Sequence, residues 1–272
     1  MIAQTPPAIV RANGIELCYD TFGDASNPPL ILIMGLAAQM VVWDDEFLRM
    51  LAGKGVYVIR FDNRDIGLST KFSQARIPGV AEITLAAVTG LRFRLPYLLR
   101  DMAADTVGLM DALGIPAAHV AGLSMGGAIA QEIAIGFPQR IRSLISIMST
   151  TGDPRLPRAT SAATAMLVRK PQFEREAYLA GYVEAWHVLA GDVYPFDAAR
   201  MRRQGERGYE RGLNPHGVSR QLAAMVGSGN RTAKLRRLRL PTLVVHGSID
   251  PLIPVAHGVA TARAIPGAVF SL

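Results

Sequence analysis

Gly122-Leu123-Ser124-Met125-Gly126 has the residue types, in the order, needed to present a hydroxyl nucleophile on a sharp turn. The pentapeptide fits G-x-S-x-G, a pattern that carries weight only where a buried strand runs in and a helix runs out. Here His119-Val120-Ala121-Gly122-Leu123 reads as the strand and Met125 to Phe137 as an apolar helix. A serine at such a junction sits in a strained backbone position, so its neighbours must be small. Gly122, Gly126 and Gly127 remove the side chains that would block the turn. The positive end of the following helix then lies beneath the oxyanion formed when the serine attacks a carbonyl. The context predicts Ser124 as nucleophile; a glycine-rich turn with an incidental serine is the plainer alternative.

The elements that must hold this serine are legible as alternating runs. Leu30-Ile31-Leu32-Ile33-Met34, after Pro28-Pro29, is a continuous apolar run of the kind a strand covered on both faces shows. Tyr57 to Phe61, Ile141 to Met148 and Thr242 to His246 read as further strands, a short one starts at Ala268, and Ile15 to Thr21 reads as an edge strand. Helices are predicted over Val42 to Lys54, Asp101 to Leu113 and Val255 to Ala264. This alternation implies βαβ units and a mostly parallel sheet, an α/β fold with helices on both faces. After Thr151 the chain becomes Arg-rich and helical, with no convincing strand. The expected organisation is one core, 1–152 and 240–272, with a helical cap insertion at 153–239.

Composition narrows the function classes. In 272 residues, 50% are apolar and 19% charged, which excludes wholesale disorder and suits one large domain. The lone cysteine, Cys18, excludes an internal disulfide and suits a reducing compartment. The first seven residues lack a basic region followed by an apolar run, and the longest apolar stretch, Leu30 to Trp43, falls short of the roughly 20 residues a span needs. The expectation is a soluble, cytoplasmic protein with no membrane partner. The net charge of +7 is uneven: residues 151–240 hold 16 Lys/Arg against 8 Asp/Glu, and the rest 13 against 14. No stacking aromatics or nucleic-acid module accompany the excess, so it reads as solvated arginines on helices, with no nucleic-acid partner. No His/Cys/carboxylate cluster has metal-ligand spacing, so neither a metal nor an organic cofactor is expected.

Three segments carry a resemblance: the elbow, the strand ending Ile33-Met34-Gly35-Leu36, and Phe61-Asp62-Asn63-Arg64-Asp65-Ile66-Gly67-Leu68-Ser69. Over essentially the whole chain they resemble the α/β-hydrolase superfamily, and within it bacterial esterases related to aclacinomycin methylesterase. The resemblance implies an oxyanion hole made by the backbone N–H groups of Met125 and Leu36; Leu36 as an ordinary core residue is the alternative. It implies the order Ser, acid, His, with Asp250 in Val245-His246-Gly247-Ser248-Ile249-Asp250-Pro251 as the acid and Asp153 as its competitor.

The family pattern puts the histidine roughly 25 to 30 residues past the acid. None of the five histidines fits. His257 is too close in sequence and on a predicted helix, and His187 lies in the insertion. His216 follows Pro215 in a loop, and His119 begins its strand at the end remote from the serine. His246 is better suited to ordering the Asp250 loop. The expectation is a triad histidine beyond Leu272.

The function implied is hydrolysis of a small-molecule carboxylic ester through an acyl-enzyme, with the insertion roofing the pocket. Met166, Leu167, Tyr178, Tyr182, Trp186 and Leu189 would pack that roof or touch substrate. A different class stays open, a ligand-binding receptor or pseudoenzyme on this scaffold. So do carbon–carbon hydrolase, perhydrolase and cofactor-free oxygenase chemistries.

Overall fold

Leu30, Leu32 and Met34 belong to one packed cluster and Ile31 and Ile33 to another, because successive side chains of a strand point to opposite faces. Both faces are covered, which explains the uninterrupted apolar run. The structure is a computed structural model and describes residues 2–90, 93–167, 169–191 and 193–272. Eight strands form one sheet: β1 (Ala8–Ala12), β2 (Ile15–Phe22), β3 (Pro29–Ile33), β4 (Tyr57–Phe61), β5 (Ala118–Leu123), β6 (Ile141–Ile147), β7 (Thr242–Val245) and β8 (Val269–Ser271). Their order is β1-β2-β4-β3-β5-β6-β7-β8, antiparallel through β1, β2 and β4 and parallel from β4 onward.

The segment Ile15 to Thr21 is a strand but not an edge. It is covered by β1, which joins it through Asn13-Gly14, both at positive φ (49° and 79°). That dipeptide is a standard two-residue hairpin turn, and it was the signal available for β1, whose short, mostly exposed sequence has little apolar pattern.

Among the described residues four α-helices precede β6: α1 (Asp45–Ala52), α2 (Val80–Thr89), α3 (Leu99–Ala112) and α4 (Met125–Gly136). Helix α1 starts later than its apolar pattern, because the Asp44 carboxylate accepts from the N–H groups of Glu46 and Phe47 and so fixes the first turn. Helix α2 was not anticipated. Helices α3 and α4 cover one face of the sheet; Trp43 and the α1 residues Leu48 and Ala52 cover the other.

Between β6 and β7 lie α5 (Ser161–Leu167), α6 (Arg175–Ala190), α7 (Ala198–Glu210), α8 (Pro215–Ser228) and α9 (Thr232–Leu235), with no strand among the described residues; α10 (Ala256–Ala264) follows β7. The basic excess of this segment is not simply solvated. Arg200 and Arg207 pair with Asp44 and Asp45, Arg211 with Asp62, and the buried Arg220 with Asp65. Positive charge on these helices meets carboxylates of the sheet domain, so the asymmetry helps to dock the segment. No described helix is long and apolar enough to cross a membrane, and no described group of three or more His, Cys, Asp or Glu could hold a metal ion.

Candidate active site

Ser124 stands at the carboxyl end of β5 with φ 56° and ψ −116°, a conformation that side chains rarely adopt. The backbone around it holds it there. Its N–H donates to the Ile147 carbonyl (2.9 Å), and its own carbonyl accepts from the Ser149 hydroxyl (2.8 Å). Each of the three glycines answers a separate close approach. A Cβ on Gly122 would lie 2.1 Å from the Gly126 carbonyl oxygen, one on Gly126 2.1 Å from that of Ile33, and one on Gly127 2.6 Å from the Ser149 Cβ.

The Met34-Gly35-Leu36 loop passes directly beside the serine: a Cβ on Gly35 would be 3.3 Å from the Ser124 Cβ. Leu36 and Ala37 form the centre of a turn closed by a long Ala38 N–H bond to the Gly35 carbonyl (3.4 Å), with Ala37 at φ 62°. Among the described residues, neither the Leu36 nor the Met125 N–H is given to a protein acceptor. Met125 opens α4, where backbone N–H groups have no partner within the helix. Its side chain is fully buried and that of Leu36 half-buried against the α3–α4 core. Leu36 is therefore a core residue in its side chain and a free donor in its backbone.

Asp250 lies in the turn after β7. One carboxylate oxygen accepts from the N–H groups of Leu252 (2.9 Å) and Ile253 (2.8 Å), and the other lies 3.7 Å from His246 Nε2. His246 bonds through Nε2 to the Ile253 carbonyl (2.6 Å), and its buried ring packs on Gly258, where a Cβ would come within 2.5 Å of Nδ1. The histidine thus braces the acid's loop. Strands β5, β6 and β7 are neighbours and parallel, so β5 and β7 end on the same edge of the sheet two strand spacings apart, about 10 Å, with Ser124 directly after β5 and Asp250 in the turn after β7. The structure brings Ser124, Leu36 and Met125 together and sets Asp250 on the same rim.

The competing acid is committed elsewhere. Asp153 binds the Arg155 guanidinium through both oxygens (2.9 and 2.6 Å), and that side chain, then the Arg155 N–H, pulls its pKa down to about 2. His257 spends both ring nitrogens, on the Thr150 hydroxyl (2.7 Å) and the Pro157 carbonyl (2.8 Å). His119 bonds to Ser143 (2.7 Å) at the far end of β5, its pKa lowered by burial and by Arg142. His187 makes a tilted ring contact with Phe196, and His216 sits in the first turn of α8. Among the described residues no histidine hydrogen-bonds to Ser124. The aromatic stripe of α6 packs within its own segment: Tyr178 and Tyr182, Tyr182 and Trp186, and Tyr178 and Tyr209 of α7 are in ring contact.

The Asp62–Ser69 loop is the scaffold beneath these groups. The Asp62 carboxylate accepts from the N–H groups of Met40 (2.7 Å) and Leu68 (2.9 Å), and Asn63 donates to the Met34 carbonyl (3.0 Å). Arg64 forms a bidentate pair with Asp105, both bonds 2.6 Å. Asp65, fully buried, takes Arg220 through two 2.8 Å bonds and the Tyr97 hydroxyl at 2.7 Å. Burial pushes the Asp65 carboxyl up, but Arg220, the Phe72 N–H and Tyr97 outweigh it and leave it below the usual carboxylate range. Nothing in the sequence around Asn63 marks it as a brace, and Gln221, whose contacts reach this site from α8, carries no sequence signal at all.

A family described as alpha/beta hydrolase fold matches residues 28–185. Rhodomycin D methylesterase DauP of Streptomyces sp. strain C5 is 28% identical over 97% of this chain and 89% of its own length. The 3-oxoadipate enol-lactonase 2 of Acinetobacter baylyi is 27% identical over 92% of this chain and 81% of its own. Among solved structures, a hydrolase from Pseudomonas aeruginosa PA01 superposes with a TM-score of 0.69 at 27% identity, covering 98% of this chain and 89% of that one.

Proposed function

The chain belongs to the alpha/beta hydrolase fold family, and on that premise we propose that it cleaves a small-molecule carboxylic ester by nucleophilic attack of Ser124. Relatives named as a methylesterase and an enol-lactonase support ester hydrolysis as the class of reaction. The observation that carries the mechanism is the pair of unclaimed backbone N–H groups, Leu36 and Met125, flanking a serine in a strained turn. In this reading Ser124 Oγ adds to the carbonyl carbon and the oxyanion takes those two donors. The tetrahedral adduct then expels the alcohol, and water hydrolyses the acyl-enzyme.

Asp250 is the acid of the triad. One of its oxygens is tied to its own loop, leaving the other for the N–H of an imidazole. In this reading a histidine oriented by Asp250 takes the Ser124 proton and returns it to the departing alcohol; among the described residues no histidine is hydrogen-bonded to Ser124. The helices from α5 to α8 act as a cap that selects the acyl or alcohol group, as a domain spanning 153–239.

The test is covalent. A fluorophosphonate should modify Ser124 alone, and Ser124→Ala should lower kcat by about 10⁴ to 10⁶. Ester turnover surviving Ser124→Ala within tenfold refutes the reading.

A further inference from the structure

We propose that Gln221, on helix α8, is a positioning residue for the oxyanion hole: it holds the peptide after Leu36 so that the Leu36 N–H stays aimed at the Ser124 adduct. The inference rests on the reading of Leu36 as an oxyanion donor and extends it to the helical segment.

Ala37 is the starting point. At φ 62° it occupies the left-handed region usually left to glycine, in the central position of the turn that presents Leu36. A residue keeps such a conformation only when its surroundings over-determine it. The Ala37 N–H is the group that is held, donating to Gln221 Oε1 at 3.2 Å. The other end of the same amide donates from Nε2 to the Arg64 carbonyl at 2.8 Å. Gln221 is fully buried, its bond to Arg64 is buried, and its bond to Ala37 is part-buried at the exposed turn. A primary amide accepts at one end and donates at the other, and both capacities are used here. The side chain is a strut between the loop after β3 and the loop after β4, whose Arg64 is itself locked to Asp105.

The peptide preceding Leu36 is fixed independently. Asn63 holds the Met34 carbonyl and Ala38 closes onto that of Gly35. Leu36 is thus clamped on both sides, and only the clamp on its C-terminal side comes from outside the sheet domain.

That clamp depends on how α8 docks. Arg220, adjacent to Gln221, binds Asp65 through two bonds. One turn earlier α8 comes so close that a Cβ on Gly217 would lie 2.5 Å from the Asp65 carbonyl oxygen. The position of Gln221 is therefore set by the ion pair that seats the helix, and the hole is complete only while α8 is seated.

The experiment uses a p-nitrophenyl ester as substrate and a boronic acid as a tetrahedral-adduct mimic. Gln221→Met keeps the side-chain length and removes the amide. It should lower kcat about 10²-fold, the scale of a lost oxyanion donor, with KM within twofold. The boronic acid should weaken in parallel. Adding Ala37→Gly to that variant should restore kcat roughly tenfold, because glycine adopts positive φ without being held. Gln221→Asn, whose shortened amide cannot span both loops, provides a second variant with a buried amide and should lose kcat in the same sense. A residue that merely stabilised the fold would lower the unfolding temperature and leave kcat per folded molecule intact. That result, or a kcat within twofold of wild type in either single variant, or no recovery from Ala37→Gly, overturns the inference. These outcomes alongside a dead Ser124→Ala sink only the role of Gln221, whereas an active Ser124→Ala sinks the serine mechanism itself.

Discussion

Two of the three glycines of helix α4 have opposite surroundings, and the pair tests how closely the elbow is packed. Gly136 is the exposed last residue of the helix, with nothing within 4 Å of a Cβ placed on it. Gly126 is in the first turn, where a Cβ would meet the Ile33 carbonyl oxygen at 2.1 Å, its carbon at 2.7 Å and the Met34 carbonyl oxygen at 2.9 Å. Alanine is the better helix former at either site by up to about 1 kcal/mol, somewhat less at the ends. Gly136→Ala should therefore be neutral or stabilising. Gly126→Ala must open a gap of about 1.3 Å to bring the closest contact to ordinary van der Waals range. Its neighbours are main-chain atoms of β3, which no rotamer change can clear. Overpacking commonly costs 1–3 kcal/mol, and a rigid backbone contact belongs at the top of that range, so a net loss of about 3 kcal/mol is expected. At about 2–4 °C per kcal/mol for a chain near this size, Tm should fall by roughly 6–12 °C. Urea unfolding of both variants with m-values compared is the assay. The displaced Ile33–Met34 backbone leads directly into Gly35 and Leu36, so ester turnover should fall by more than the folded fraction does. If Gly126→Ala unfolds within 0.5 kcal/mol of Gly136→Ala, the packing argument for the elbow glycines is wrong.

Steady-state kinetics of Asp250→Asn should show a kcat loss approaching about 10⁴ with the fold retained, because an amide neither orients an imidazole nor stabilises its cation. Asp153→Asn, whose partner is Arg155, should stay within a few-fold of wild type; the reverse order would transfer the acid's role. Asp65→Asn leaves the buried Arg220 without its carboxylate and should cost about 3–5 kcal/mol in denaturant unfolding. Because the folded-state pKa of Asp65 is depressed, its contribution is complete above the unfolded value of about 3.9 and is lost as pH falls through the lower folded value. The stability gap between wild type and Asp65→Asn should shrink only below about pH 4, and a gap already closing between pH 7 and 5 would contradict that assignment. Arg200→Ala removes a pair whose partners are both substantially exposed and should cost less than about 1 kcal/mol, a loss that vanishes in high salt.

The elements that carry chemistry were readable because their signals are local. Strand, tight turn and helix lie within twenty consecutive residues around Ser124, and the glycines that permit the turn are its sequence neighbours. The parallel sheet followed from the spacing of apolar runs, and the turn that holds Asp250 from the apolar run Thr242 to His246 giving way to Gly247 and Pro251. His246 directly follows β7 and bonds the Ile253 carbonyl in the loop beyond, the ordering contact its position in the sequence leads one to expect. Where pattern is weak the reading slipped. The strand β1 buries almost nothing and α2 lies between longer signals, so neither was anticipated. Most basic residues after Thr151 are exposed, as expected, but Arg211 and the buried Arg220 pair with carboxylates of the loop after β4. Charge is visible in sequence, but its partner is not, and Asp62 and Asp65 stand about 150 residues from Arg211 and Arg220. The same distance hid Gln221, a residue with no motif, which reaches Ala37 from 184 positions away. Local chemistry, turn geometry and the two-faced strand were properties of short segments, set by sterics and hydrophobic period. Which buried amide steadies the loop beside the serine, and which carboxylate meets each arginine, was decided only when α8 folded back onto the sheet, because a hydrogen bond or ion pair depends on separation in space and leaves no period in the sequence.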